Sequence, residues 1–230
     1  MGRPNHLATH IWGNYIGTRT DGINGRGDSS NAINLDRYSD SFIGTNSDGS
    51  DDINEGNLIS DNNQGVQLRR VSNILIAGNI IGLDKLGSAP LGNDFNGVFI
   101  RDALGRNVVG FNGAMYSQPS DVYRNIISSN GNDAVRLFNS DNQIIANNYL
   151  GTDISGTLAR GNTNFGIQLQ GSSSDNILGT DADGNGDVLE RNIISANGTG
   201  IRLQVGGTGS NNVIAGNYIG TDLSLSLIHI

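Results

Sequence analysis

The chain has 230 residues, enough for one ordinary domain or one run of stacked repeats. Its 34 Gly and 32 Asn make up more than a quarter of it, while only 3 Pro and no Cys rule out a collagen-like or Pro-rich chain, disulfide staples and thiolate metal sites. A net charge of -8 with a pI of about 4.6 argues against nucleic acid as a partner, and no run approaches the roughly 18 apolar residues of a membrane span.

Strand phase is already present at residues 8–11, and GNYIGT follows at 13–18. From there a small residue, an aliphatic, any residue and a second aliphatic recur as AINL from Ala32, GVQL from Gly65, GVFI from Gly97, AVRL from Ala134, GIQL from Gly166 and GIRL from Gly200. These starts are 32 to 37 residues apart, so one turn takes about 33. A second string closes the longer period: GNYIGT at 13–18 and 216–221, GNIIGL from Gly78 and NNYLGT from Asn147, with the shared Asn at 14, 79, 148 and 217. Two kinds of turn therefore alternate. One has a loop of fixed length after its IG pair; the other carries GTNSDGSDD from Gly44 or GTDADGNGD from Gly179, each followed by the same frame, EGNLIS or ERNIIS.

Each turn reads as three short strands, such as 166–169, 176–179 and 191–195 in the fifth. Alternation turns Ile167 and Leu169 inward and Gln168 outward. A four-residue strand buries too little alone, so it must pair with its equivalent about 4.8 Å along the axis, and the stacked Ile, Leu and Val then form one core. Asn recurs in three phases: 73, 142 and 211; 14, 79, 148 and 217; 57, 125 and 192. Inward Asn at a bend can hydrogen-bond its counterpart one turn away.

These motifs (GI-x-L, N-x-I-x-GN-x-IGTD and RNIIS) resemble those of secreted right-handed parallel β-helix repeat proteins, the wide group related in shape to pectate lyases. The resemblance spans roughly residues 8–224 and implies an all-β, right-handed parallel β-helix of six to seven turns in one domain, 1–224. It also implies an extracellular or cell-surface protein. No leader precedes the repeats and no polar capping element closes either end, so the expectation is a chain lacking both natural ends. The tail 225–230 reads LSLIHI and resembles a translated transposase adapter from sequencing libraries, which sets it apart from the fold.

In folds of this shape, ligands often lie along the outer face of one sheet. The outward positions of the GI-x-L strands are Asn34 and Asp36, Gln67 and Arg69, Phe99 and Arg101, Arg136 and Phe138, Gln168 and Gln170, Arg202 and Gln204, with Arg70 and Asp102 at strand ends. Aromatic rings stack on sugar faces, amides bind hydroxyls and Arg pairs with uronate carboxylates. Arg69, Phe99, Arg101, Arg136, Phe138, Gln168 and Arg202 are therefore the candidate residues for binding a polysaccharide. The bland alternative is an ordinary polar surface on which Arg stems cover the strand beneath.

Uronate lyases and epimerases need a base and a group that neutralises the carboxylate. Neither the GHG of polygalacturonases nor the DPHE of alginate epimerases is present, and His6, His10 and His229 all lie off the stripe. Two readings stay open: a scaffold that binds polysaccharide, or a polysaccharide lyase or epimerase centred on Arg69, Arg101 and Arg136. A third feature is the loop with Asp181, Asp183, Asn185 and Asp187, which resembles the first half of an EF-hand and points to Ca2+. It lacks the closing Glu at the twelfth position, where Asn192 stands, and metal-free Gly/Asp turns of this kind are common in β-helices.

Overall fold

The computed structural model describes residues 8–46, 48–111, 121–206 and 209–227. His6 and His229 lie outside them.

Among the described residues, twenty short strands form three all-parallel sheets, each joining strands about one turn apart. The first sheet holds seven strands, from His10–Ile11 to Val213–Ala215, and the second seven, from Tyr15–Ile16 to Tyr218–Ile219. The third holds six: Asp28–Asp36, Asn62–Arg69, Val98–Arg101, Val135–Phe138, Phe165–Gly171 and Thr199–Val205. The chain visits the sheets in the order first, second, third and repeats, which makes a parallel β-solenoid of about six turns.

The third sheet keeps strict register. Val66, Val98, Val135 and Ile167 form one inward column, and Leu68, Ile100, Leu137 and Leu169 the next. All eight are fully buried and belong to one core with Ile43, Ile76, Val109 and Ile145 of the first sheet and Ile59, Ile81, Ile127 and Leu150 of the second. Burial alternates along Val98–Arg101 and Val135–Phe138, as the two-residue period requires.

The alternation of turn types comes from where the extra residues sit. Where the corner between the first and second sheets is short, as at 78–79 and 147–148, the next connection to the third sheet is long, as at 82–97 and 151–164. Where that first corner is long, as at 45–57 and 180–192, the next is short, as at 60–61 and 195–198. Turn length stays near 33 residues while the insertion moves from one corner to the other. Long loops of one type stack on their own kind two turns away: Lys85 N–H donates to Gly22, Ile154 N–H to Gly87, and Leu223 N–H to Gly156.

This alternation also rearranges the expected Asn ladders. The phase of Asn14, Asn79, Asn148 and Asn217 and that of Asn57, Asn125 and Asn192 interleave into one ladder. The Oδ1 of Asn57, Asn79, Asn125, Asn148, Asn192 and Asn217 each accepts from the Asn one turn before it. The loop of variable length separates the two sets in sequence but not in space. Asn73, Asn142 and Asn211 are not rungs. They are exposed and hold φ of 55°, 61° and 56°, a left-handed conformation that Asn tolerates. The rungs at that corner fall on Asn107, Gln143, Asn176 and Asn212. A further ladder of Asn62, Asn93, Asn130, Asn162 and Asn197 lines the corner between the second and third sheets.

Close stacking sets the glycine positions. At Gly110 (φ 96°) an added Cβ would lie 1.8 Å from the carbonyl oxygen of Ala146 in the next turn. Leu225 is an exception to the loop pattern: its φ is 66° at the position that Gly22, Gly87 and Gly156 occupy in the equivalent loops.

Candidate functional site

The outer face of the third sheet carries two registered columns. Asn34, Gln67, Phe99, Arg136, Gln168 and Arg202 form the first, and Asp36, Arg69, Arg101, Phe138, Gln170 and Gln204 the second. All seven sequence-nominated residues therefore share one face. Phe99 is the direct neighbour of Arg136, and Arg101 of Phe138. Gln168 sits between Arg136 and Arg202 and is only 5% exposed, because its neighbours cover it.

Three arginines lie over aromatic rings on this surface. Arg136 lies over the Phe99 ring at 5.3 Å and Arg101 over the same ring at 6.0 Å, while Arg202 lies over Phe165 at 4.9 Å. Arg136 also donates from Nη2 to Gln170 Oε1 on the adjacent strand. Toward the N-terminal side, charges pair among themselves. Arg70 Nε donates to Asp36 Oδ1 at 2.8 Å, Arg69 is 3.9 Å from both Asp36 and Asp102, and Arg101 is 3.4 Å from Asp102. The Arg70 hydrogen bond holds the Asp36 carboxyl below the ordinary carboxylate range. Among the described residues, neither Arg136 nor Arg202 has a carboxylate within 4.0 Å.

A third column, absent from the sequence reading, borders the first at the corner: Gln64, Asn96, Asp133, Phe165 and Thr199, each one residue before the small residue of its motif. Asp133 is fully buried. Its Oδ1 accepts from Phe165 N–H at 3.3 Å and its Oδ2 has no hydrogen-bond partner. Burial pushes its pKa up to about 6, and the Phe165 amide, Arg136 and Arg202 pull the other way. Reading one position upstream of each small residue would have shown this column, but an isolated Asp among amide, aromatic and hydroxyl residues gives no chemical signal of its own.

Buried polar atoms normally find partners. Among the described residues nine buried side-chain nitrogen or oxygen atoms have no hydrogen-bond partner, and four of them lie on this outer side: Gln64 Nε2, Asp133 Oδ2, Arg136 Nε and Arg69 Nε, the last in an ion pair with Asp102 at 3.9 Å.

The acidic loop is arranged differently from its sequence pattern. Carboxylate oxygens of Asp181, Asp187 and Glu190 lie within 4.8 Å of one another. Asp183 and Asn185 are exposed and outside that group; Asp183 Oδ1 instead accepts from Asn185 N–H at 2.7 Å. Glu190, two places short of the position an EF-hand would use, is 1% exposed and accepts from Asp181 N–H. The matching loop at 45–55 has Asn46, Asp52 and Glu55 at these three positions, with Glu55 accepting from Asn46 N–H.

Three parallel sheets around one apolar core, amide ladders at the corners and a polar, aromatic outer face define a parallel β-helix repeat protein. The fold is similar to the crystal structure of the periplasmic alginate epimerase AlgG, with a TM-score of 0.45 and 14% sequence identity over 91% of this chain and 43% of that one. The chain thus spans less than half the length of that protein. No family model matches the chain, and no curated protein matches its sequence.

Proposed function

We propose that this chain is a β-helix scaffold of an exported or cell-surface protein and that it binds polysaccharide along the outer face of its third sheet. The observation that carries the reading is the pair of registered outward columns, in which Arg136 and Arg202 lie over rings and, among the described residues, have no carboxylate within 4.0 Å. The arrangement supplies guanidinium donors, amide side chains and ring faces in register over several turns, which suits an extended, hydroxyl-rich polymer.

Binding is favoured over lyase or epimerase chemistry. Among the described residues, the two outward columns hold no His or Lys, so a base would have to be an arginine; Arg69 and Arg101 are paired with carboxylates, Arg136 is held on Phe99 and Gln170, and the buried carboxyl of Asp133 is fully covered. The test is to incubate the protein with alginate and with polygalacturonate, with and without Ca2+. Unsaturated product is followed by absorbance, epimerisation by proton NMR and binding by calorimetry. Saturable binding without either product is the expected result. Turnover that Arg136→Ala abolishes would replace the scaffold with an enzyme, and absence of binding to any polysaccharide would overturn the reading.

A further inference from the structure

The buried carboxyl of Asp133 borders the part of the outer face where, among the described residues, Arg136 and Arg202 have no carboxylate within 4.0 Å. Its unpartnered Oδ2 and the unpartnered Nε of Arg136 lie within the same turn, three residues apart. Arg202, two turns on, also acts on it electrostatically. Both guanidiniums are held over rings, Arg136 on Phe99 and Arg202 on Phe165, with Gln168 between them in the column. Two cations spaced two rungs apart above a hidden carboxyl form a site whose net charge depends on one proton.

We propose that Asp133 makes this part of the face a proton-linked anion site, which takes the carboxylates of an acidic glycan more tightly as Asp133 becomes protonated. The inference rests on the polysaccharide reading above and specifies its ligand as a uronate-bearing chain and its regulation as pH. Asp133 is fully covered and does not touch the ligand; it acts through Arg136 and Arg202 as a positioning residue.

With Asp133 ionised, a bound carboxylate meets two arginines and one opposing charge; with Asp133 neutral, it meets the arginines alone. Linkage then requires that anion binding take up a proton. The charged groups acting on Asp133 are Arg136, on the strand that begins two residues after it, and Arg202, on the strand two turns away. The neighbouring elements contribute Asn96, Asn132 and Phe165, and the loop packed against Gly131 carries Asp94, which is exposed to solvent. Burial already places the Asp133 pKa near 6, so the response falls between neutral and mildly acidic pH, where a uronate of ordinary pKa stays ionised.

The experiment is calorimetry of the whole protein with hexagalacturonate at pH 7.5 and pH 5.5, in two buffers of different ionisation enthalpy, with a neutral cello-oligosaccharide in parallel. The expected result is about tenfold tighter hexagalacturonate binding at the lower pH, with net proton uptake, and no such change for the neutral chain. Asp133→Asn should bind hexagalacturonate equally at both pH values and, at pH 7.5, as tightly as wild type does at pH 5.5. Wild-type affinity independent of pH without proton uptake, or an unaltered pH response in Asp133→Asn, would overturn this inference and leave the glycan face standing. Failure of both glycans to bind at either pH would overturn the face and the inference together. Proton uptake is measured on the wild type, so the test does not depend on the variant folding.

Discussion

The outer face of the third sheet divides at the strand Val98–Arg101, and its halves use arginine in opposite ways. On the N-terminal side, Arg69, Arg70 and Arg101 each pair with Asp36 or Asp102, so two of the three positive charges are offset locally. On the C-terminal side, Arg136 and Arg202 rest on Phe99 and Phe165, and the one acidic group near them is buried with an oxygen unpartnered. Counting arginines would rank the first half as the stronger anion site. Asking which guanidinium already has a carboxylate reverses that order.

The largest effect that sharpens this contrast is on stability. Asp133 has a folded pKa raised from 3.8 to about 6, so its contribution is intact below pH 3.8 and is lost as pH rises through 6. Asp133→Asn should therefore leave stability at pH 4 nearly unchanged and raise it at pH 8 by up to about 3 kcal/mol in denaturant titrations. Equal shifts at both pH values would show that Asp133 is not buried as a charge.

The same question, whether a charge has its complement, separates the two acidic loops. Ca2+ is expected at Asp181, Asp187 and Glu190 but not at 45–55, where Asn46 stands in place of the first carboxylate. At a hundredfold excess over its Kd, one ion would stabilise the fold by about 2.7 kcal/mol, and Asp181→Asn should abolish the rise in melting temperature. An unchanged melting temperature in wild type would remove calcium from the account. A smaller effect lies outside both halves. Leu225→Gly should stabilise the last loop by about 1 kcal/mol, because the left-handed backbone there costs a branched residue more than glycine. A loss of stability would mean that the exposed Leu side chain contributes contacts of its own. The smallest change is expected at Asp36→Asn. Its pairs with Arg69 and Arg70 are solvent-exposed, so the melting temperature should barely move, and any shift should vanish in high salt.

Sequence alone yields the repeat, the three-strand turn and the shared face of Arg69, Phe99, Arg101, Arg136, Phe138, Gln168 and Arg202, because a two-residue period and a constant turn length suffice for them. It does not show that Asn57 and Asn79 are neighbours in one ladder, since an insertion that changes corner places equivalent residues at unequal spacing. Likewise Glu190 joins Asp181 and Asp187 only when the chain between them folds back, whereas a linear motif favours Asp183 and Asn185. Asp133 was hidden for a different reason: its significance lies in burial and in an unpartnered oxygen, which no residue pattern carries.

The most direct test of the glycan face compares Arg136→Ala and Arg70→Ala for hexagalacturonate affinity at pH 5.5. Arg136→Ala should lose at least tenfold, about 1.4 kcal/mol, and Arg70→Ala less than about threefold. Equal losses, or a greater loss at Arg70, would contradict this expectation.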